Sequence, residues 1–170
     1  QYNSFVTRAS RDGGITTKRE LAMFLANILH ESGGLQYVRE IRCQQSGCPG
    51  EYVHPPLDRP GQTYYGRGYI QLTWSYNYND ASYALFGDDR LVRDPDSVAR
   101  SVELSWAVSF WYWRERVHGH VQGGQFGASI RAINGMECPG CQYQCPKRIK
   151  NYLKILPIFS PNESPNTSGC

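Results

Sequence analysis

The stretch TKRELAMFLANILHESGG, residues 17–34, carries the strongest structural signal in the chain. Thr17-Lys18-Arg19-Glu20 has the form of a capping box, in which the threonine and glutamate side chains each satisfy an orphan amide at a helix start. Leu21, Phe24, Leu25, Ile28 and Leu29 then recur at helical spacing and define one buried stripe, and Gly33-Gly34 supplies a stop. The pattern predicts a helix that ends near His30-Glu31-Ser32. Glu31 falls at the border of the apolar stripe, where partial burial disfavours a charged carboxyl and suits a proton donor. The alternative is a helix-terminal glutamate that simply extends into solvent.

Working outward, a second long helix is predicted from Asp94-Pro95, a cap followed by proline, through Val98, Val102, Trp106, Phe110 and Trp113. A third is expected near Phe126 to Ile133 and a fourth near Pro146 to Leu156, with Gly- and Pro-rich connectors. Tyr69-Ile70-Gln71-Leu72-Thr73 reads as one short strand, so the class is mainly α with little β-structure. No repeat or domain boundary is visible, and residues 1–170 read as a single domain with a Pro/Ser/Asn-rich tail at 160–170. That tail holds two glycosylation sequons, Asn162-Glu163-Ser164 and Asn166-Thr167-Ser168.

The chain's 170 residues, 40% hydrophobic and 19% charged, suffice for one sizeable core. The 18 Lys and Arg against 15 Asp and Glu give a net charge of +3 without a basic run, which argues against a nucleic-acid partner. No apolar stretch approaches the ~20 residues that cross a bilayer, so no membrane partner is expected. Cys43, Cys48, Cys138, Cys141, Cys145 and Cys170 make an even set that suits disulfides in an oxidising compartment, and the chain reads as secreted and extracellular. The spacing Cys138-x-x-Cys141-x-x-x-Cys145 also resembles a zinc knuckle, but no fourth ligand follows, and no metal is expected.

Glu40 follows the Gly33-Gly34 break, where a turn would bring two carboxylates across a groove, the pair that glycoside hydrolysis needs. An ion pair with Arg39 or Arg42 is the other reading of Glu40. The segment Tyr64-Tyr65-Gly66-Arg67-Gly68-Tyr69-Ile70-Gln71-Leu72-Thr73-Trp74, followed by Tyr76-Asn77-Tyr78, is dense in rings and amides. Such a set suits sugars, with their apolar faces and many hydroxyls, and equally suits a core packed beside a turn.

At these residues the sequence resembles the family 19 glycoside hydrolases, the lysozyme-like chitinases. His30-Glu31-Ser32-Gly33-Gly34 is similar to that family's His-Glu-Thr-Gly-Gly signature, and Tyr64-Tyr65-Gly66-Arg67-Gly68, Gln71-Leu72-Thr73, Asn77-Tyr78, Ile133-Asn134-Gly135 and Arg148-Ile149 follow in order. The resemblance spans roughly residues 20 to 156. It implies a bilobal, disulfide-stabilised lysozyme-like fold with a substrate cleft, and endo-acting, inverting hydrolysis of β-1,4-linked N-acetylglucosamine. Glu31 matches the general acid and Glu40 the general base, which in an inverting pair stand ~6.5–9.5 Å apart.

By the same resemblance Thr73 takes the place of a water-positioning serine, and Tyr65, Gln71, Tyr76, Asn77 and Asn134 match substrate-binding positions. Arg148 and Glu137 match a charge network beside the acid. Cys43–Cys48 and Cys138–Cys170 resemble family disulfides, which leaves Cys141–Cys145. The chain departs from the family at Ser32, at Tyr69 and in a segment one residue shorter around Met136, and its compact Cys43 to Tyr64 connector implies fewer subsites and open ends. Chitin or chitooligosaccharides are the expected partner, acted on by a monomer without cofactor. Peptidoglycan hydrolysis and non-catalytic chitin binding are the alternatives.

Overall fold

The computed structural model describes residues 2–139 and 145–170, with side chains from Phe5 onward. Nine α-helices are found among them: α1 (Tyr2–Gly13), α2 (Lys18–Glu31), α3 (Cys43–Ser46), α4 (Ser75–Phe86), α5 (Arg90–Arg93), α6 (Ser97–Arg100), α7 (Val102–Tyr112), α8 (Phe126–Asn134) and α9 (Cys145–Phe159). The only β pairing among the described residues is two isolated bridges, Arg39 with Arg67 and Arg67 with Leu72. The chain divides into two compact units, one of Gln1–His30 with Tyr112–Cys170 and one of Glu31–Trp111. No described helix is long and apolar enough to cross a membrane.

In the first unit, α2 starts and stops where its sequence says. The Glu20 amide donates to Thr17 Oγ1 at 3.1 Å, and Gly33 and Gly34 both adopt left-handed backbone after the helix. Two details differ from the sequence reading. The Glu20 carboxylate does not return to the cap: it is buried, accepting from Trp113 Nε1 at 2.8 Å, with His118 Nδ1 2.6 Å away. A buried acceptor is satisfied by a buried indole donor at the expense of half the capping box. The apolar stripe is also wider than one face, because Ala22, Met23, Ala26 and Asn27 are buried too, while Leu25 and Leu29 are only half-buried. Phe24 meets Trp113 edge-on at 5.4 Å, and Phe126 stacks on Tyr152 at 4.4 Å.

The tail is a working part of this unit. Carbonyls of Asn166 and Ser168 accept from the amides of Phe126 and Gly127 at 2.9 and 2.8 Å, satisfying two donors that α8's first turn leaves without helical partners. The disulfide Cys138–Cys170 fastens the end. With Cys138 bonded in this way, the zinc-knuckle reading is excluded for it. The Cys141–Cys145 bridge falls on Cys141, outside the described residues. A Cβ on Gly127 would lie 2.6 Å from both the Cys170 amide nitrogen and the Ser168 carbonyl oxygen. Gly127→Ala is therefore expected to displace the tail and destabilise the protein by about 1–3 kcal/mol, as overpacking does, read as a lower thermal midpoint at unchanged helicity.

The second unit corrects two expectations. The long helix from Asp94 to Trp113 is broken, since Asp94, at φ −138° and ψ 73°, is not helical and Ser101, at φ −117° and ψ 119°, is extended. Ser101 Oγ accepts the Leu104 amide at 3.1 Å and so starts α7 afresh, while Ser105 Oγ donates to the Val98 carbonyl at 2.7 Å and closes the corner. Val102 is consequently 61% exposed, and the chain beyond α7 winds as a π-turn over Trp113–Val117. Tyr69–Thr73 is not a strand. Arg67 and Leu72 exchange backbone bonds of 3.1 and 2.8 Å across a turn in which Gly68 and Gln71 both have positive φ, which no strand permits.

Candidate active site

Glu31 is half-buried as the last residue of α2, and the chain reverses after it around buried Ser32, whose Oγ accepts the Leu35 amide at 2.8 Å. Residues 38–40 then run beside 66–68: the Glu40 amide donates to the Gly66 carbonyl at 2.8 Å and the Gly68 amide to the Val38 carbonyl at 2.9 Å. This pairing explains the Gly-Arg-Gly motif. A Cβ on Gly66 would stand 2.9 Å from Gln71 Oε1, and one on Gly68, at φ +72°, 2.9 Å from Val98 Cγ1. Arg67 between them is 3% exposed, donating to Asp96 Oδ1, Thr63 O and Tyr78 Oη at 2.6, 2.7 and 3.2 Å. A buried guanidinium so fully bonded fixes the loop that Glu40 leans on.

The Glu40 carboxylate is held at both oxygens. Oε1 accepts from Tyr52 Oη at 3.0 Å and from Arg42 Nη2 at 3.2 Å, and Oε2 accepts the Gly66 amide at 3.3 Å. The ion pair with Arg42 is thus present, whereas Arg39 turns to Asp96 at 3.1 Å. Arg42 also reaches Glu51 Oε1 at 2.8 Å. Burial and the negative charge of Glu40 raise the Tyr52 phenol above its ordinary range, so it stays protonated and donates.

In the segment after Arg67, Thr73 Oγ1 donates to the Gln71 carbonyl at 2.8 Å, Gln71 Nε2 to the Gly68 carbonyl at 2.9 Å and Asn77 Nδ2 to the Thr73 carbonyl at 2.9 Å. Tyr76 is exposed and continues a row of rings: Tyr52 meets Trp74 edge-on at 5.4 Å, Trp74 stacks on Tyr76 at 6.1 Å, and Tyr76 meets His54 at 5.3 Å. Tyr65 differs from Tyr76. Its ring is 5% exposed, packed with Cys43 and Cys48 and covered by the Arg67 guanidinium at 3.6 Å. Tyr52, Trp74, Glu51 and His54 were not picked out as site residues by sequence reasoning. The only hint was their spacing after Cys48-Pro49-Gly50 and within the aromatic run.

The remaining sequence candidates gather in the other unit. Arg148, 1% exposed, donates from Nε and Nη2 to the two Glu137 oxygens, each at 2.8 Å, and from Nη1 to Asn27 Oδ1 at 3.2 Å. Asn134 Nδ2 donates to Glu137 Oε1 at 3.0 Å. Burial pushes the Glu137 carboxyl up, but the Arg148 bonds and charge outweigh it and hold the group below its ordinary range. Burial and then Arg148 push the His30 imidazole down to about 4, against an opposing pull from Glu137. His30, which immediately precedes Glu31, is therefore neutral near pH 7.

Comparison with known proteins gives the class and then the family. The family model described as chitinase class I, glycosyl hydrolase family 19, matches residues 1–158. Endochitinase B of Zea mays is 44% identical over 151 residues, which cover 88% of this chain and 52% of that protein. Chitinase 5 of Oryza sativa subsp. japonica is 39% identical over 155 residues, 90% of this chain and 51% of that one. A bacterial family 19 chitinase superposes with a TM-score of 0.78 at 32% identity, covering 98% of this chain and 90% of its own, and a class IV chitinase from Zea mays with 0.70 at 28%, covering 94% and 79%. The chain belongs to glycoside hydrolase family 19. It has that family's mainly helical fold, with Cys43–Cys48 and Cys138–Cys170 as disulfides. It spans about half the length of the curated relatives it matches.

Proposed function

We propose that the protein is a secreted endochitinase that cleaves β-1,4-linked N-acetylglucosamine with inversion, Glu31 acting as general acid and Glu40 as general base. The observation that carries this reading is the seating of Glu40, in a chain of this family, with one carboxylate oxygen heavily bonded and the other accepting, among the described residues, a single long bond from the Gly66 amide. Glu31 protonates the glycosidic oxygen as the C1–O bond breaks. Glu40 takes a proton from a water that attacks C1 on the opposite face, and the product is released with the inverted configuration.

Thr73 helps hold that water. The exposed ring of Tyr76 offers a stacking face, Gln71, Asn77 and Asn134 offer amides to hydroxyl and N-acetyl groups, and Tyr65 contributes by shaping the loop beneath them. Glu137 and Arg148 form the charge network next to the acid's helix. Carboxylates alone supply the proton transfers, so neither metal nor organic cofactor enters the mechanism, and the monomer is the working unit.

The test is a time course on a chitin hexasaccharide, with product sizes by chromatography and anomeric protons by NMR. Internal cleavage with products first seen in the α-form is the expected result. Cleavage giving β-products refutes inversion. Inactivity on the hexasaccharide together with clearing of a bacterial wall suspension transfers the activity to peptidoglycan, and inactivity on both with retained chitin binding replaces catalysis by a binding role.

A further inference from the structure

We infer that Tyr52, Arg42 and Glu51 form a clamp that positions Glu40 and selects its Oε2 as the oxygen that receives the proton from water. This inference rests on the assignment of Glu40 as general base. The residues come from one short, tied loop. The disulfide Cys43–Cys48 closes a ring immediately after Arg42, and the chain beyond it turns back through Gly50 to place Glu51 and Tyr52 beside the residues that precede the ring. Cys48 and Tyr52 both hold a left-handed backbone, at φ +48° and +56°. Side chains with a Cβ avoid that conformation, and such outliers persist where the surroundings over-determine them. At Tyr52 the determinants are its ring against Trp74 and its hydroxyl on Glu40.

The distribution of donors is asymmetric. Oε1 of Glu40 receives Tyr52 Oη at 3.0 Å, Arg42 Nη2 at 3.2 Å and Arg42 Nε at 3.4 Å, whereas Oε2 receives, among the described residues, only the Gly66 amide at 3.3 Å. An oxygen with three donors has little capacity left, so the proton goes to the other. Arg42 is divided. Its Nη1 donates to Glu51 Oε1 at 2.8 Å and its Nη2 to Glu51 Oε2 as well, so Glu51 takes up much of a cation that would otherwise pair wholly with Glu40 and weaken it as a base. Arg39 and Arg67, on the two strands of chain paired at Glu40, both bond Asp96.

The clamp makes two variants act in opposite directions. Tyr52→Phe removes a hydrogen bond to the charged form of Glu40, so kcat falls roughly 10-fold or more, KM stays within about twofold, and the acidic limb of the pH–rate profile moves to higher pH. Glu51→Gln releases Arg42 onto Glu40, so kcat also falls but the acidic limb moves to lower pH. A loop damaged in folding would not give limbs of opposite sign, and Glu51, 41% exposed at its side chain, is replaced without disturbing a core. Both variants are measured on a chitin hexasaccharide beside Glu40→Gln. If Glu40→Gln is inactive while both variants keep the wild-type kcat and profile, the clamp is overturned and the base stands. If Glu40→Gln keeps wild-type turnover, the base assignment falls and the clamp falls with it.

Discussion

Glu31→Gln is expected to lower turnover of a chitin hexasaccharide by about 10²- to 10⁴-fold, the contribution of a positioned proton donor. The amide keeps the size and most of the hydrogen bonding of the acid but has no proton to give, so the departing sugar oxygen would leave as an alkoxide. KM should change little, because the interaction lost is made in the transition state. Folding should be little affected, since Glu31 is half-buried at the C-terminal end of α2, beyond the last buried position of that helix, Ile28. An aryl glycoside with an acidic phenol leaving group provides an internal control. Its departure needs little protonation, so the same variant should lose far less activity on it. Equal losses on both substrates would assign Glu31 to binding or structure, and wild-type turnover on the hexasaccharide would remove it from the mechanism.

The sequence made legible those parts of the fold whose local signals agree with their tertiary setting. α2 has a cap, a period and a glycine stop, and α8 and α9 were placed to within a few residues of Phe126–Asn134 and Cys145–Phe159. α4 was not read, because SYNYNDASYALF has no clean apolar period and buries only Ser75, Tyr78, Ala81 and Ser82. The break at Ser101 was hidden for a different reason. Its hydroxyl starts a new helix three residues ahead of Leu104, and a single serine within an apolar run carries little weight against the periodicity around it. Of the residues named by motif, Glu40, Tyr65, Gln71 and Thr73 lie on the loops between α2 and α4, whereas Asn134, Glu137 and Arg148 lie in the other unit, and what fixes Glu40 was not visible. Tyr52 reaches it, and Glu51 reaches Arg42 beside it, through positive-φ backbone and the Cys43–Cys48 ring, which no propensity encodes.

Glu137→Gln is expected to be the most destabilising single change among the polar candidates, by about 3 kcal/mol, because it leaves the Arg148 guanidinium, 1% exposed, without its bidentate counter-charge. For a chain of this size that corresponds to a thermal midpoint lower by roughly 6–12 °C. The pH dependence identifies the cause. Glu137 titrates below its ordinary 4.5 in the folded state, so its contribution is present above that value and is lost as pH falls through the folded one. His30, pushed from 6.5 to about 4, adds a second loss as pH falls from about 6.5 to about 4, since the unfolded chain takes up that proton first. Glu137→Gln should lose its own part, while the His30 part remains and extends to lower pH, because Glu137 no longer favours the charged imidazole. Replacing both partners, Glu137→Leu with Arg148→Met, should recover much of the midpoint, because removal of a whole buried pair costs far less than removal of half. In activity, the unopposed guanidinium should move the basic limb of the pH–rate profile to lower pH by favouring loss of the acid's proton. A variant with wild-type midpoint and an unchanged profile would reduce the Glu137–Arg148 pair to an ordinary ion pair with no part in the chemistry.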